Sequence, residues 1–311
     1  MQTQLSLRRL EVFCLVVEEC SVTRAAEALL VAQPAVSAQL RALEAWVGAP
    51  MFQRQGNRLV LTEAGERTHR WASGVLAGAA AVRREVGDLA GGETGRVVVF
   101  SSLAVGTYVV PPVLARLGRE RPRADITVAT SRPDEVVHAV ESGECDLAVL
   151  NWDQRPLPET VDLERLATVP LGVYVSPELV ERGAALSVAE AMALPLVGAP
   201  GNVVYQRNLE SQLRAADQPV PHFVLRLGHA EAMKRAAVTN GWGLIAPSYA
   251  VDVEVADGRL HRLDLPDLDL SEEIVLLRRH DKLWSPLQQA AVAALRSEVP
   301  DAVTDSSEGG S

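Results

Sequence analysis

The sequence predicts a multidomain α+β chain: an amino-terminal winged helix-turn-helix, a long linker helix, and a carboxy-terminal α/β domain of two lobes. Three observations predict it. Within Ser21 to Leu61, two helical patterns and a hairpin pattern follow one another directly. In the stretch after it, apolar residues recur at heptad spacing. Beyond Gly95, short apolar strands alternate with helical stretches, the mark of βαβ units.

The first helix is expected from Ser6 to Glu19, where Leu7, Leu10, Phe13 and Val17 lie on one face. Ser21 then suits the cap of a short helix whose Ala25, Ala26 and Leu29 face inward and let a second helix cross closely. Val31 and Ala32 make the turn. The second helix starts at Pro34, since proline is tolerated where its missing amide would have no intrahelical partner. Val36, Leu40, Leu43 and Val47 form its apolar stripe, and Gly48 stops it. The opposite side carries Pro34, Ala38, Arg41 and Ala45, with Ser37 beside them and Gln33 at the positive helix end. Such a narrow, short-chained face lets a backbone approach the base edges of a major groove, while Gln33, Ser37 and Arg41 offer donors. Met51 and Phe52 plug the core, and Gln53 to Leu61 alternate around Gly56-Asn57, a hairpin tip flanked by Arg54 and Arg58. The competing reading is a plain helical hairpin with a surface β-turn.

The run AAEALLVAQPAVSAQLRALEAWVGAPMFQR, followed by LTEAG, resembles the amino-terminal domain of the LysR-type transcriptional regulators, closely from Leu7 to Gly65. The resemblance implies that Gln33, Pro34, Ser37, Gln39 and Arg41 lie on or beside a DNA-reading helix and Arg54 and Arg58 in a wing. Thr23 completes the expected DNA-binding set together with Ala38. At Ala38 many members carry a longer polar side chain, so one contact is expected to be missing here.

Charge is uneven along the chain. Its 311 residues carry a formal net charge of −10, but residues 1–60 hold six arginines against five glutamates. A near-neutral reading head predicts modest non-specific affinity, with specificity resting on dimer geometry. Apolar residues make up 48% of the chain, enough for sizeable cores. Cys14, Cys20 and Cys145 include no C-x-x-C pair, which argues against a zinc site or a disulfide framework and fits a reducing cytoplasm. Cys14 and Cys145, in apolar runs, read as buried bystanders. Neither a secretory signal nor an apolar run long enough to span a bilayer is present, so a cytoplasmic location is expected.

The winged head is assigned to residues 1–61. Residues 62–92 form the linker: Thr62 caps a helix to about Leu89, and Val75, Ala79, Val82, Val86 and Leu89 make a seam for pairing two chains as a coiled coil. A helix packed on its own domain is the alternative, because Gly74 and Gly78 weaken a free-standing helix. Gly91-Gly92 is the hinge. A homodimer would set two reading helices into successive major grooves and demand an inverted repeat in double-stranded DNA. The family resemblance implies a homotetramer.

Residues 93–298 form the two-lobed domain, with lobe 1 about 93–162 and 266–298, and lobe 2 about 163–265. Strands are expected at Arg96–Phe100, Asp125–Thr130 and Asp146–Leu150, with helices beginning near Thr107 and Pro133, as a parallel sheet. A second set comprises Asp162–Thr168, Leu171–Val175, Leu194–Ala199 and His222–Leu227, with helices at Val204–Ala216 and Ala230–Thr239. A strand at Glu272–Arg279 and a helix at Ser285–Glu298 return to the first lobe, crossing near Asp162 and Leu265. The arrangement resembles the periplasmic binding protein fold, which the family uses to sense small molecules. Residues 299–311, polar and acidic, are expected to be disordered.

In open α/β sheets ligands bind beyond the carboxyl ends of strands. That rule selects Ser101, Ser102, Leu103 and Thr107, then Thr130 and Ser131, then Asn151, and in the second lobe Asn202 and His229. The resemblance implies that Ser101, Ser102, Ser131, Asn202 and His229 line an effector cleft. Two departures stand out: Gly201-Asn202-Val203-Val204 replaces a loop rich in glycine, serine and threonine, and His229 replaces a serine or threonine. Simple helix capping is the alternative for Ser101, Ser102, Thr107 and His229. No arginine stands at the selected loop positions.

Six histidines are scattered without an H-E-x-x-H pattern, and G-x-S-x-G and P-loop motifs are absent. Gly241-Trp242-Gly243-Leu244-Ile245-Ala246 fits a loose dinucleotide pattern, but Pro247 follows where a helix would have to open. The sequence therefore reads as a DNA-binding transcriptional regulator modulated by a small-molecule effector, with no catalytic role, cofactor, metal or membrane partner. The alternative is a stand-alone small-molecule binding protein.

Overall fold

The computed structural model describes residues 5–55, 58–88, 95–280 and 282–304. The chain divides into two compact units, Met1–Ala90 with Glu141–Glu144, and Gly91–Val140 with Cys145–Ser311.

The first unit begins with α1 (Leu7–Glu19), α2 (Val22–Ala28) and α3 (Gln33–Val47), continues with a hairpin of β1 (Phe52–Gln55) and β2 (Arg58–Leu61), and ends in α4 (Glu63–Asp88). Side-chain caps start three of the helices: Ser6 accepts from the Arg9 amide, Ser21 from Arg24, and Thr62 from Gly65. Helix α3 opens one residue before the expected Pro34, which leaves the proline in its first turn. Gly48 ends it at φ 81°, a conformation that costs a residue with a Cβ, and its amide donates to Glu44 O at 2.8 Å. Leu10, Phe13, Val36, Leu43 and Met51 fill one core, and Phe13 meets the Phe52 ring edge-on at 5.5 Å. The hairpin tip Gly56-Asn57 lies outside the described residues.

Along α4, Val75 packs into this core while Val82 is 57% exposed. The first seam position is thus partly buried within its own unit, while Val82 is open to solvent. Leu89, Gly91 and Gly92 lie outside the described residues, as does the Val86 side chain.

The second unit opens with β3 (Arg96–Ser101), α5 (Leu103–Tyr108), α6 (Val110–Glu120), β4 (Asp125–Thr130), α7 (Pro133–Ser142) and β5 (Leu147–Asn151). There follow β6 (Val161–Val175), α8 (Val188–Met192), β7 (Leu196–Gly198), α9 (Val204–Ala215), β8 (Phe223–Arg226), α10 (Ala230–Asn240) and β9 (Gly243–Pro247). A 3-10 turn (Ser248–Ala250), α11 (Asp252–Ala256), β10 (His261–Arg262), β11 (Ser271–Arg279) and α12 (Pro286–Thr304) complete it. The strands run in the order β4-β3-β5-β11-β6-β9-β7-β8, with β10 on β6. Alternate strand residues feed opposite faces: Val97 and Val99 pack with α6 and α12 residues, and Val98 with α7. Both faces are covered, which is why these strands read as continuous apolar runs.

Four expectations need correction. The two strands expected at 162–168 and 171–175 are one strand, β6, that pairs with β11 up to Pro170 and with β9 from Leu171. Pro170 does not break it, because the next amide, Leu171, donates to Leu270 O at 2.8 Å. The sheet is mixed rather than parallel: β11 pairs antiparallel with β5 and β6, since the chain leaves the first lobe along one strand and returns along the other. The helix expected near Thr107 is two helices, α5 and α6, and Pro111-Pro112 are accommodated only because they fall in a fresh first turn. Finally, α12 runs to Thr304, so residues 299–304 are not a disordered tail; Val299 and Val303 are buried in the first-lobe core. Residues 305–311 lie outside the described residues.

Gly106 lets α5 press against the sheet: a Cβ there would stand 2.6 Å from Thr130 Cγ2 and 3.0 Å from Ser101 Cβ. Gly106→Ala is therefore expected to destabilise the second unit by about 1–3 kcal/mol, the usual cost of overpacking, read from the shift of its denaturant midpoint.

Candidate functional site

Two surfaces collect the residues singled out in the sequence. On α3, Gln33, Pro34, Ala38 and Arg41 are exposed and Ser37 is half-buried, while Val36, Leu40 and Leu43 face the core. Gln39 is half-buried and its Oε1 accepts from Arg9 Nε at 3.0 Å, so α1 holds it in place. Thr23 is exposed on α2 and Arg54 on β1; Arg58 pairs with Gln55 in the hairpin register. The arginines of this unit differ in their engagement. Arg8, Arg24 and Arg67 are ion-paired with Glu11, Glu19 and Glu63, whereas among the described residues Arg41 and Arg54 enter no ion pair. Arg70 on α4 is likewise without an ion pair among the described residues, and an anionic ligand would meet no internal competitor at any of the three.

The second surface is a cavity of about 850 Å³ in the carboxy-terminal unit. Ser102, Leu103, Thr130, Ser131, Asn151, Asn202 and His229 line it; Ser101 and Thr107 do not. Ser101 is fully buried and donates to Val149 O at 2.5 Å. Thr107 sits inside α5, exposed, donating to Leu103 O at 2.7 Å. Ser102 precedes α5 but makes no side-chain cap; its hydroxyl donates instead to Asn151 Oδ1 at 2.7 Å, tying β3 to β5. His229 is the polar cap of α10, its Nδ1 accepting from the Glu231 amide at 3.1 Å. Ser131 donates to Glu135 one turn into α7, and that bond with Arg132 holds the Glu135 carboxyl down at about 2.

Sequence reasoning missed several wall residues. Arg132 and Arg155 lie one and four positions beyond selected residues, and Tyr249 follows β9, whose end contributed no selected residue. Although no arginine stands at the selected positions, Arg132, Arg155 and Arg207 all line the cavity. Each is engaged by a carboxylate: Arg132 by Glu135 at 2.5 Å, Arg155 by Asp153 at 2.6 Å, and Arg207 by Asp153 at 4.0 Å. Tyr205, Leu227, Met233 and Ile245 add an apolar and aromatic lining.

Glu272, from β11, reaches the cavity floor between Tyr249 and Asn151. Tyr249 Oη donates to its Oε1 at 2.5 Å. Burial pushes this carboxyl up from an ordinary 4.5 to about 7, against the downward pull of the Tyr249 and Asn151 hydrogen bonds. In the sequence it is one of two adjacent acids at the head of a strand whose middle, Ile274 to Leu277, is apolar. Among the described residues, no group of three His, Cys, Asp or Glu side chains is placed to hold a metal ion, and no helix is long and apolar enough to cross a membrane.

Comparison with known proteins gives the same two parts. The description "Bacterial regulatory helix-turn-helix protein, lysR family" matches residues 7–66, and "LysR substrate binding domain" matches residues 90–300. The HTH-type transcriptional regulator CbbR of Xanthobacter flavus is 28% identical over 301 residues, covering 94% of this chain and 88% of that protein. Among solved structures, ArgP from Mycobacterium tuberculosis has a TM-score of 0.70 at 21% identity, covering 95% of this chain and 98% of that one. Full-length CbnR complexed with its target DNA has a TM-score of 0.69 at 20% identity, covering 94% and 99%. At these identities the two structures speak for the fold alone.

The raised Glu272 carboxyl has a sign that can be checked. The folded state holds this proton more tightly than the unfolded chain, so its contribution is present below about pH 4.5, falls as pH rises to about 7, and is flat above. Relative to Glu272→Gln, the wild-type chain is expected to lose about 3 kcal/mol of stability across that window, measured by urea unfolding at a series of pH values.

Proposed function

The chain belongs to the LysR family, whose members are DNA-binding transcriptional regulators with an effector-binding domain, and we propose how this member divides the work. The exposed face of α3, with Gln33, Pro34, Ser37, Ala38, Gln39 and Arg41, enters the major groove of double-stranded DNA. Arg54 and Arg58 of the wing hold adjacent phosphate, and Thr23 contacts the backbone beside them. The observation that supports this reading is that Arg41 and Arg54, exposed on α3 and the hairpin, enter no ion pair among the described residues, whereas Arg8, Arg24 and Arg67 are paired.

A homodimer formed through α4 places two α3 helices about one turn of DNA apart, about 34–36 Å, and so reads an inverted repeat; the exposed Val82 supports this seam. Two such dimers form a homotetramer in the cytoplasm. The effector binds the cavity among Ser102, Leu103, Thr130, Ser131, Asn151, Asn202 and His229. It acts by favouring one arrangement of the lobes over another, and its influence on DNA is bounded by its difference in affinity for the two. The cavity binds and signals without catalysing, in line with relatives that are named as regulators.

Footprinting on the promoter next to the protein's own gene is expected to show a protected inverted repeat. Arg41→Ala with Arg54→Ala is expected to abolish that protection and to lower the slope of log affinity against log salt by about 0.9 per lost phosphate contact, while thermal unfolding stays unchanged. Full protection by the double variant would overturn the assignment of the reading face.

A further inference from the structure

The floor of the cavity holds an acid without a cation. Glu272 is bonded by Tyr249 Oη and Asn151, both neutral, and Asn151 is in turn fixed by Ser102. Among the described residues Glu272 enters no ion pair, although four basic side chains line the same cavity. Each of those four has a carboxylate within reach: Arg132 has Glu135, Arg155 has Asp153, Arg207 shares that same Asp153 at 4.0 Å, and Lys234 has Glu231 and Glu254 at 2.8 and 3.2 Å. An anionic ligand therefore has to compete with these carboxylates for the wall cations, whereas Glu272 has no cation to give up. A ligand that brings a positive charge to Glu272 supplies the partner that the protein withholds, in a setting where an unpaired carboxylate is costly.

The surroundings fit such a group. Tyr205 and Tyr249 line the cavity, and a ring face attracts an ammonium. Val203, Leu227, Met233 and Ile245 offer apolar contact to the remainder of the ligand. We propose that the effector is a small amine with an apolar body, such as an apolar amino acid, whose ammonium group sits on Glu272. This rests on the reading of the cavity as the effector site. Glu272 is then the residue that decides specificity, accepting from a donor and rejecting a carboxylate or phosphate at the same depth.

The test uses the purified full chain, thermal shift followed by titration calorimetry, and matched probes. L-leucine, L-phenylalanine and 2-phenylethylamine are set against 4-methylpentanoate and 3-phenylpropionate, which lack the amine. At least one amine-bearing probe is expected to raise the unfolding midpoint, with its deaminated counterpart giving no shift. Glu272→Gln is expected to weaken that amine by about ten- to a hundredfold, the worth of a hydrogen bond to a charged group. Tyr249→Phe, which leaves the carboxyl in place, is expected to keep the preference for the amine. Equal binding of amine and deaminated probe, undiminished binding by Glu272→Gln, loss of the preference in Tyr249→Phe, or no shift with any amine would each overturn the proposal. Pyruvate and 3-phosphoglycerate serve as a separate arm. If they shift the midpoint at the cavity and the amines do not, the effector site stands and the amine falls; if nothing shifts it, both fall.

Discussion

Strand β6 is the constraint on which the carboxy-terminal unit depends. It pairs with β11 along Val161–Pro170 and with β9 along Leu171–Val175, so one stretch of backbone belongs to the sheets of both lobes. The cavity floor follows from that ladder. Asn151 closes β5 opposite Ile274 of β11, Glu272 lies opposite Val169 of β6, and Leu171 opposite Pro247 leads to Tyr249. Three side chains from three separate segments therefore meet because their strands are consecutive in one hydrogen-bonded series. Their spacing is set by backbone bonds, which holds the geometry of the floor.

Under the proposed reading, the amino-terminal unit solves a different problem: presenting a nearly uncharged helix to a polyanion. Its core draws Phe13, Leu43 and Met51 inward and leaves short side chains on the outer side of α3, so the backbone itself comes close to whatever the helix meets. The acidic excess of the whole chain, −10, lies elsewhere in the sequence, since residues 1–60 carry six arginines and five glutamates. On the proposed reading, attraction to DNA comes from a few unpaired arginines, and discrimination from fit and from the spacing of two heads.

Local chemistry was legible in the sequence wherever a short-range rule decides the backbone. The caps at Ser21 and Thr62, the stop at Gly48 and the inward stripe of α3 each depend on residues within one or two turns. What escaped notice depends on partners far along the chain. Nothing near Pro170 says that it lies where one strand changes neighbours, and nothing near Val299 says that a core waits for it. The same holds at the cleft. Ser101 and Ser102 are equivalent by sequence, but the alternation of β3 turns the first into the sheet and the second toward Asn151. Thr107 was lost because its hydroxyl found a carbonyl one turn back. Glu272 was invisible because an acid heading a strand ordinarily reads as its solvated end.

The length of α12 bears on how the molecule is handled. Since Val299 and Val303 are seated in the first-lobe core, the boundary for cutting or fusing lies after Thr304 and not at the polar residues that begin with Asp301. A purification handle or fluorescent fusion joined at residue 298 would strip two buried valines from the sheet that anchors the cleft, and a protein shortened there would report on its own damage and not on its ligand.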